Sequence, residues 1–339
     1  MRYSCFSVAD HYPPALHPGQ QRSIAALYRQ LLEECVFAEE LGYEIFFVAE
    51  HHFHEYGAVP NPAVWLAAAA ARTHRIGLGP AVTVLPFRDP RTVAEDYAML
   101  DQISGGRLVL GVGSGYLPHE FAGFNVDPAS KRGRFDESLA LLRRLWRGER
   151  VSHAGTHFAL HDVSLNVLPW EGRELPVYVA ALREEAVYWI GRAGENLMLV
   201  PYATVDRVEE IGRLIAAHRR GLREAGKEGE ALVALHTFVA ESDAEARMQA
   251  EGPFDLYVAT RKYAKRQTYD DIMKSGLSLM GGVDTVSDRL VQLAGMGVRH
   301  VVALYNFGAL APEHVRHSLR LLAERVRPRV EAQLAATAG

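Results

Sequence analysis

Residues 44–62 read EIFFVAEHHFHEYGAVPNP, a short apolar run that passes into three histidines and two carboxylates and then into a helix start. Residues 44–48 are rich in β-branched and aromatic side chains and too few for a helix, so they read as a fully buried strand. Asn61 and Pro62 supply an N-cap and a first helical residue ahead of the apolar run 63–71. Glu50, His51, His52, His54 and Glu55 therefore lie in a loop at the carboxyl end of a strand, where α/β folds bind ligands.

Working outward, the same rhythm repeats along the chain. Apolar runs at 2–8, 44–48, 75–84, 107–112, 176–181, 196–200, 231–240 and 299–304 read as strands. Amphipathic stretches at 23–41, 63–73, 90–103, 131–146, 184–193, 205–225 and 312–326 read as helices between and after them. Prolines open helices at Asp89-Pro90 and Ala311-Pro312, and Gly42, Gly105, Gly106, Gly194 and Gly226 follow helix ends. Eight such units predict an α/β fold of the (β/α)₈ TIM-barrel type, whose usual size is ~250 residues plus insertions. Three connections are long. Residues 117–130 follow the fourth strand, 151–168 alternate like a small hairpin before the fifth, and 241–288 form a lid-like insertion between the seventh and eighth. No linker or charge block divides the chain, so 1–339 is expected to be a single domain.

Composition narrows the function classes. The 339 residues are 48% hydrophobic and 23% charged with a formal net charge of -4, and no basic block tracks a phosphate backbone, so nucleic acid is not an expected partner. The run 63–71 is far short of a membrane span, and MRYSCFSVADHYPP lacks the charged and apolar regions of a signal peptide. A cytoplasmic protein without a membrane partner is expected. Cys5 and Cys35 are too few for a disulfide framework and read as small apolar core residues.

A second candidate site is RLVLGVGSGYLPHEFAGF, residues 107–124. Gly111, Gly113 and Gly115 at a strand end let backbone approach a flat ligand. The dinucleotide fingerprint needs a third glycine with that spacing and an immediate helix; here Tyr116 and a long loop follow, in the fourth unit rather than the first. In the first site, His52 and His54 with Glu50 or Glu55 hold enough ligands for zinc, but no metal-binding spacing is present, so no metal is expected. For His52 and His54 the plainer reading is bonding to loop backbone. His119 and Glu120 can reach the same mouth, with a solvated loop face as the simpler account.

Together these segments resemble the bacterial luciferase-like flavin monooxygenases. The resemblance rests on EHHF at 50–53, GPAVTVLPFRDP at 79–90, LDQISGGRLVLGVGSGY at 100–116, PVYVAAL at 176–182 and NFGALAPEHVRHSLRLLAERVRP at 306–328. It implies a barrel with an insertion after the seventh strand that binds FMN, or in a sister branch the deazaflavin coenzyme, at the carboxyl face. His51 matches the family's catalytic histidine, an acid/base suited by an ordinary pKa of about 6.5. Ala81 and Val82 match a pair joined by a non-prolyl cis peptide against the flavin ring. Arg132 matches a phosphate-binding arginine at a helix start. Ser114 stands where some relatives carry a second such arginine, and Arg183, beside Leu182 at the end of PVYVAAL, can restore that charge. Gly113 replaces luciferase's cysteine, which argues against light emission. Phe6, Phe53, Tyr56, Phe87 and Tyr116 fall near strand ends as candidates for an aromatic substrate pocket, or else pack beneath the loops.

The implied activity uses reduced FMN, delivered by a separate NAD(P)H-dependent reductase, and dioxygen to oxidise a small organic substrate. A deazaflavin-dependent hydride-transfer enzyme and a non-catalytic flavin-binding subunit of the same fold are the rivals. The resemblance also implies a homodimer through helices of the second and third units, where residues 63–72 (AVWLAAAAAR) suit close contact.

Overall fold

The short apolar runs form strands because each can bury both faces, and the amphipathic stretches form the helices that cover them. The structure, a computed structural model, describes residues 1–12, 15, 17, 22–54, 57–261 and 267–338. The first half of the chain runs β1 (Arg2–Ser7), α1 (Ile24–Glu40), β2 (Ile45–Val48), α2 (Pro62–Ala70), β3 (Gly77–Pro80), β4 (Thr83–Val84), α3 (Pro90–Ser104) and β5 (Leu110–Gly113). After β5 come the short α4 (Pro118–Gly123) and α5 (Lys131–Trp146), then the hairpin of β6 (Val151–Ala154) and β7 (Ala159–Val163). β8 (Val177–Ala181), α6 (Glu184–Arg192), β9 (Asn196–Leu199), α7 (Pro201–Thr204), α8 (Ile211–Ala225) and β10 (Ala231–Ala240) follow. After β10 come α9 (Asp243–Thr260), α10 (Tyr269–Ser275) and β11 (Ser278–Gly282), all within 241–288, and then α11 (Val283–Gly295). β12 (His300–Leu304), α12 (Pro312–Leu321) and α13 (Arg327–Ala338) end the chain.

The main sheet is parallel in the order β3-β2-β1-β12-β10-β9-β8-β5-β4. β3 and β4 are consecutive halves of one strand, interrupted at a cis Ala81-Val82 peptide, so the two ends of this path meet. Leu78 bridges Leu108 in parallel, and its carbonyl accepts from the Val109 N–H at 2.9 Å, closing the ring. The expected barrel is therefore present.

Alternation within buried strands separates two cores. Phe47, Tyr178, Met198, Leu232, Ala234 and Val302 point into the barrel. Phe46, one residue from Phe47, points outward and stacks on Trp65 of α2 with centroids 5.7 Å apart. Burying each such side chain contributes about 1.5–3 kcal/mol. Caps act as read from the sequence: the side chains of Asn61 and Asp89 accept from Ala63 N and Arg91 N. Gly105 and Gly226 close α3 and α8 with φ of 66° and 63°. Cys5 and Cys35 are both buried thiols.

Three elements depart from the sequence reading. The third strand is split. The helix expected over 205–225 is α8 alone, preceded by α7 and a 3₁₀ turn at Val208–Glu210. Residues 241–288 include a fully buried strand, β11, which pairs in parallel with β10 outside the barrel ring. Among the described residues no helix is long and apolar enough to cross a membrane.

Candidate active site

The carboxyl ends of the strands open into one cavity of about 520 Å³. Its floor is the barrel's inner layer: Phe6 of β1, Phe47 of β2, Met198 of β9, Ala234 of β10, and Val302 and Leu304 of β12. Ala81, Val82, Gly113, Ser114 and Tyr116 line one side, with Leu182 and Arg183 beyond β8 and Arg132 at the start of α5. His51 faces the same space. Ten residues singled out from the sequence are thus brought together.

His51 sits where β2 ends, on a loop whose fold-back is closed by the His51 N–H donating to the Val59 carbonyl at 3.3 Å. The imidazole is 8% exposed. Its Nδ1 lies 3.3 Å from Glu120 Oε1, and the same oxygen accepts the His52 backbone N–H at 2.9 Å. Burial pushes Glu120 up, but the hydrogen bond from His51 and its companions outweigh it, leaving the carboxyl below its usual range. A carboxylate only accepts, so Nδ1 carries the proton. Burial pushes the His51 pKa down despite Glu120, helped by the charge of Arg261. A neutral ring with Nδ1 protonated has Nε2 as its acceptor, the configuration of a general base.

Glu120 was expected on a solvated loop face. The structure corrects this: it is 2% exposed on α4 and orients His51. His52 is turned away from the chemistry, its Nε2 bonded to Glu50 Oε1 at 2.9 Å, where Arg88 Nε also donates at 3.3 Å. The His54 ring lies tilted against His119, centroids 5.4 Å apart, and His119 Nε2 meets the His52 carbonyl at 3.1 Å.

The aromatic candidates divide. Phe6 and Tyr116 line the cavity. Phe53 and Phe87 do not: they cluster with Phe124, at 5.1 and 4.8 Å between centroids, behind the EHHF turn. Phe53 is 63% exposed. Both strand-end positions therefore fall on the outer side of their loops, Phe87 half-buried in the ring cluster and Phe53 at its exposed edge. Tyr56 lies outside the described residues.

The insertion supplies residues the sequence reading missed. Tyr257 and Arg261, at the end of α9, line the cavity, as does Tyr202 of α7. α9 is held down by Gly308, whose φ of 63° and missing side chain allow the Pro253 carbonyl to press against it; a Cβ there would lie 1.6 Å from that oxygen. Phe254 and Tyr257 edge onto Phe307 and onto His236 of β10. No local periodicity marks these contacts; the motif PFDLY after Gly252 is their trace.

The cationic rim is built at a helix start. α5 begins at Lys131, whose Nζ reaches the Gly115 carbonyl at 3.5 Å. Arg132 is exposed and its Nε bonds Asp136 at 2.7 Å. Arg183 is exposed at the start of α6. Ser114, Lys131, Arg132 and Arg183 thus ring one end of a cavity whose floor is apolar. Hydroxyl and cationic donors beside a helix start suit an anionic group. Gly113 has a direct steric reason: a Cβ there would lie 2.5 Å from Val82 Cγ2.

The chain is thus a parallel barrel with a buried histidine and several cationic side chains lining the cavity at its carboxyl face. The chain matches the model of the luciferase-like monooxygenases over residues 1–300 and belongs to that family. The crystal structure of monooxygenase RslO1 from Streptomyces bottropensis superposes with a TM-score of 0.86 at 29% identity, covering 97% of this chain and 99% of that one. The oxygenating constituent of 3,6-diketocamphane monooxygenase from Pseudomonas putida, in complex with FMN, shares the fold with a TM-score of 0.83 at 21% identity, over 97% and 99% of the two chains. An F420-dependent glucose-6-phosphate dehydrogenase of Intrasporangium calvum is 35% identical over 179 residues, 50% of this chain and 53% of that enzyme.

Proposed function

We propose that the protein is an FMN-dependent monooxygenase that oxidises a small organic substrate with dioxygen. The observation that carries the reading is the polarity of the cavity: an apolar floor that accommodates a ring system, and a cationic rim at Ser114, Lys131, Arg132 and Arg183. Its volume of about 520 Å³ suits a cofactor with a small second molecule. The likeness to RslO1 supports oxygenation. Reduced FMN, when bound, supplies the electrons with which dioxygen is activated and one oxygen atom passes to the substrate.

This chain's residues would do the rest. Lys131 and Arg132 hold the phosphate with the backbone at the start of α5. Ala81, Val82 and Gly113 present a small-residue wall to the ring. His51 moves a proton at Nε2, and the end of α9, through Tyr257 and Arg261, covers one part of the cavity and limits water. Electrons would come from a separate NAD(P)H-dependent reductase. Val64, Met99 and Ile103, exposed on α2 and α3, support a homodimer through those helices.

The F420-dependent relative favours a second reading, hydride transfer with the deazaflavin coenzyme. Fluorescence titration with reduced FMN and with that coenzyme separates the two, followed by dioxygen uptake in the presence of a reductase. Tighter binding of the deazaflavin and no dioxygen uptake would replace the first reading with the second. Arg132→Ala should weaken FMN about tenfold or more while leaving riboflavin unchanged, the loss of one charge-assisted phosphate contact of ~1.5–3 kcal/mol. Equal losses for both would remove Arg132 from the phosphate site.

A further inference from the structure

α9 is interrupted at its middle. Gly252 and Pro253 stand inside the helix, and a proline has no N–H with which to bond the carbonyl four positions earlier. The two halves are anchored by different contacts. The first is rooted at Asp243, whose Oδ1 accepts the Gly282 N–H at 2.7 Å and whose Oδ2 accepts the Thr285 hydroxyl at 2.9 Å. The second carries Tyr257 and leads to Arg261, both of which line the cavity. Its contacts come from the loop after β12. Gly308 presses on the Pro253 carbonyl, with a φ of 63° and no room for a Cβ. Phe307, one residue earlier, edges onto the Tyr257 ring with centroids 6.0 Å apart. The Gly308 N–H donates to Asp10 Oδ2 at 2.6 Å, and the same oxygen accepts the Tyr12 hydroxyl at 2.7 Å. Thr260, in the last turn of α9, lies within hydrogen-bonding reach of the Tyr12 oxygen. One loop thus holds the half-helix at Pro253 directly and at Thr260 through Asp10 and Tyr12. Asp10 and Tyr12 are buried, and neither they nor Gly308 lines the cavity.

We propose that Asp10 and Gly308 are positioning residues for the α9 end of the cavity: they fix where the second half of α9 stands, and with it the Tyr257 wall against which a substrate packs. The proposal deepens the monooxygenase reading, on which it relies only for assigning that end to the substrate. Both residues act through Tyr257 and touch no ligand. Asp10 serves because a single side-chain oxygen accepts two donors there, and an amide oxygen has the same two lone pairs. Gly308 serves because any side chain would push the Pro253 carbonyl away.

The test uses the full-length protein with 3-fluorotyrosine placed at position 257 or at position 116, two cavity-lining sites on different elements, read by fluorine NMR. Gly308→Ala and Asp10→Ala should each shift the Tyr257 resonance and leave that of Tyr116 in place. Asp10→Asn, which keeps the acceptor oxygen, should return Tyr257 to its wild-type resonance. Leu145→Ala, a buried truncation near the end of α5, lowers stability without touching these contacts and should move neither signal. FMN affinity should stay within about twofold of wild type throughout, the margin for sites that share no partner. Where Gly308→Ala does not fold, Tyr12→Phe removes one hydroxyl and should still shift Tyr257. An unmoved Tyr257 in Asp10→Ala and Tyr12→Phe, an equal shift in Asp10→Asn or Leu145→Ala, an equal movement of Tyr116, or a loss of FMN beyond that margin would overturn the proposal. Failure of wild type to bind FMN would instead sink the proposed function and leave the positioning of Tyr257 standing.

Discussion

Replacing His236 with phenylalanine should remove much of the protein's sensitivity to mild acid. His236 is 1% exposed on β10, boxed by the rings of Tyr202, Phe254, Tyr257 and Phe307 at centroid distances of 4.6, 5.2, 5.0 and 5.5 Å. Among the described residues neither of its ring nitrogens has a hydrogen-bond partner. Burial, with Arg261 nearby, pushes its pKa down to about 3. In the unfolded chain it returns to about 6.5. Between those values the unfolded state binds the extra proton, so stability is intact above about pH 6.5 and falls as pH falls toward 3. At one unit per ~1.36 kcal/mol, the loss from this residue is about 2 kcal/mol at pH 5 and roughly 5 kcal/mol by pH 3. Phenylalanine fills the same box without a titrating group. Urea unfolding of both proteins near pH 7.5 and near pH 5 measures the difference, and the other titrating groups cancel between them. Equal destabilisation of wild type and His236→Phe on acidification would refute the reasoning.

Two further outcomes follow from the site. Gly113→Ala should cost ~1–3 kcal/mol in thermal or chemical unfolding and weaken FMN, because its Cβ would meet Val82 Cγ2 at 2.5 Å; adding Val82→Ala should recover much of both, and no recovery would show the clash lies elsewhere. Glu120→Gln keeps shape but loses charge, so the His51 pKa should drop further. The acid limb of the kcat/KM profile then moves about one unit lower, while an unmoved limb would assign Glu120 a purely structural part.

What could be read in the sequence was what short-range patterning encodes. Asn61-Pro62 and Asp89-Pro90 cap helices by contacts two residues away, and Ile45 to Val48 carries apolar side chains on both faces and is buried throughout, so these elements follow from local chemistry. The contacts that failed to show are those between distant segments. Glu120 looks like one polar residue in PHEF until the fold brings it to His51, 69 positions earlier. β11 reads SLMGG, too short and glycine-ended to declare itself without β10 as partner. Phe53 and Phe87 illustrate the converse error, since proximity to a strand end does not say which side of the loop a ring will take.

The two ends of the cavity are built by different means. At one end the cavity wall rests on backbone: a helix start at Lys131, and small residues at Ala81 and Gly113. Any added atom there meets protein, as the 2.5 Å contact at Gly113 shows. At the other end it rests on side chains of α9, which is docked by one glycine, Gly308, against the Pro253 carbonyl and by the aromatic box around His236. Tyr257 belongs to that box, its ring 5.0 Å from His236, while Arg261 follows it at the end of α9. The lining at that end therefore depends on how α9 docks, so a substitution at Gly308 or in the aromatic box reaches the cavity through Tyr257 and Arg261.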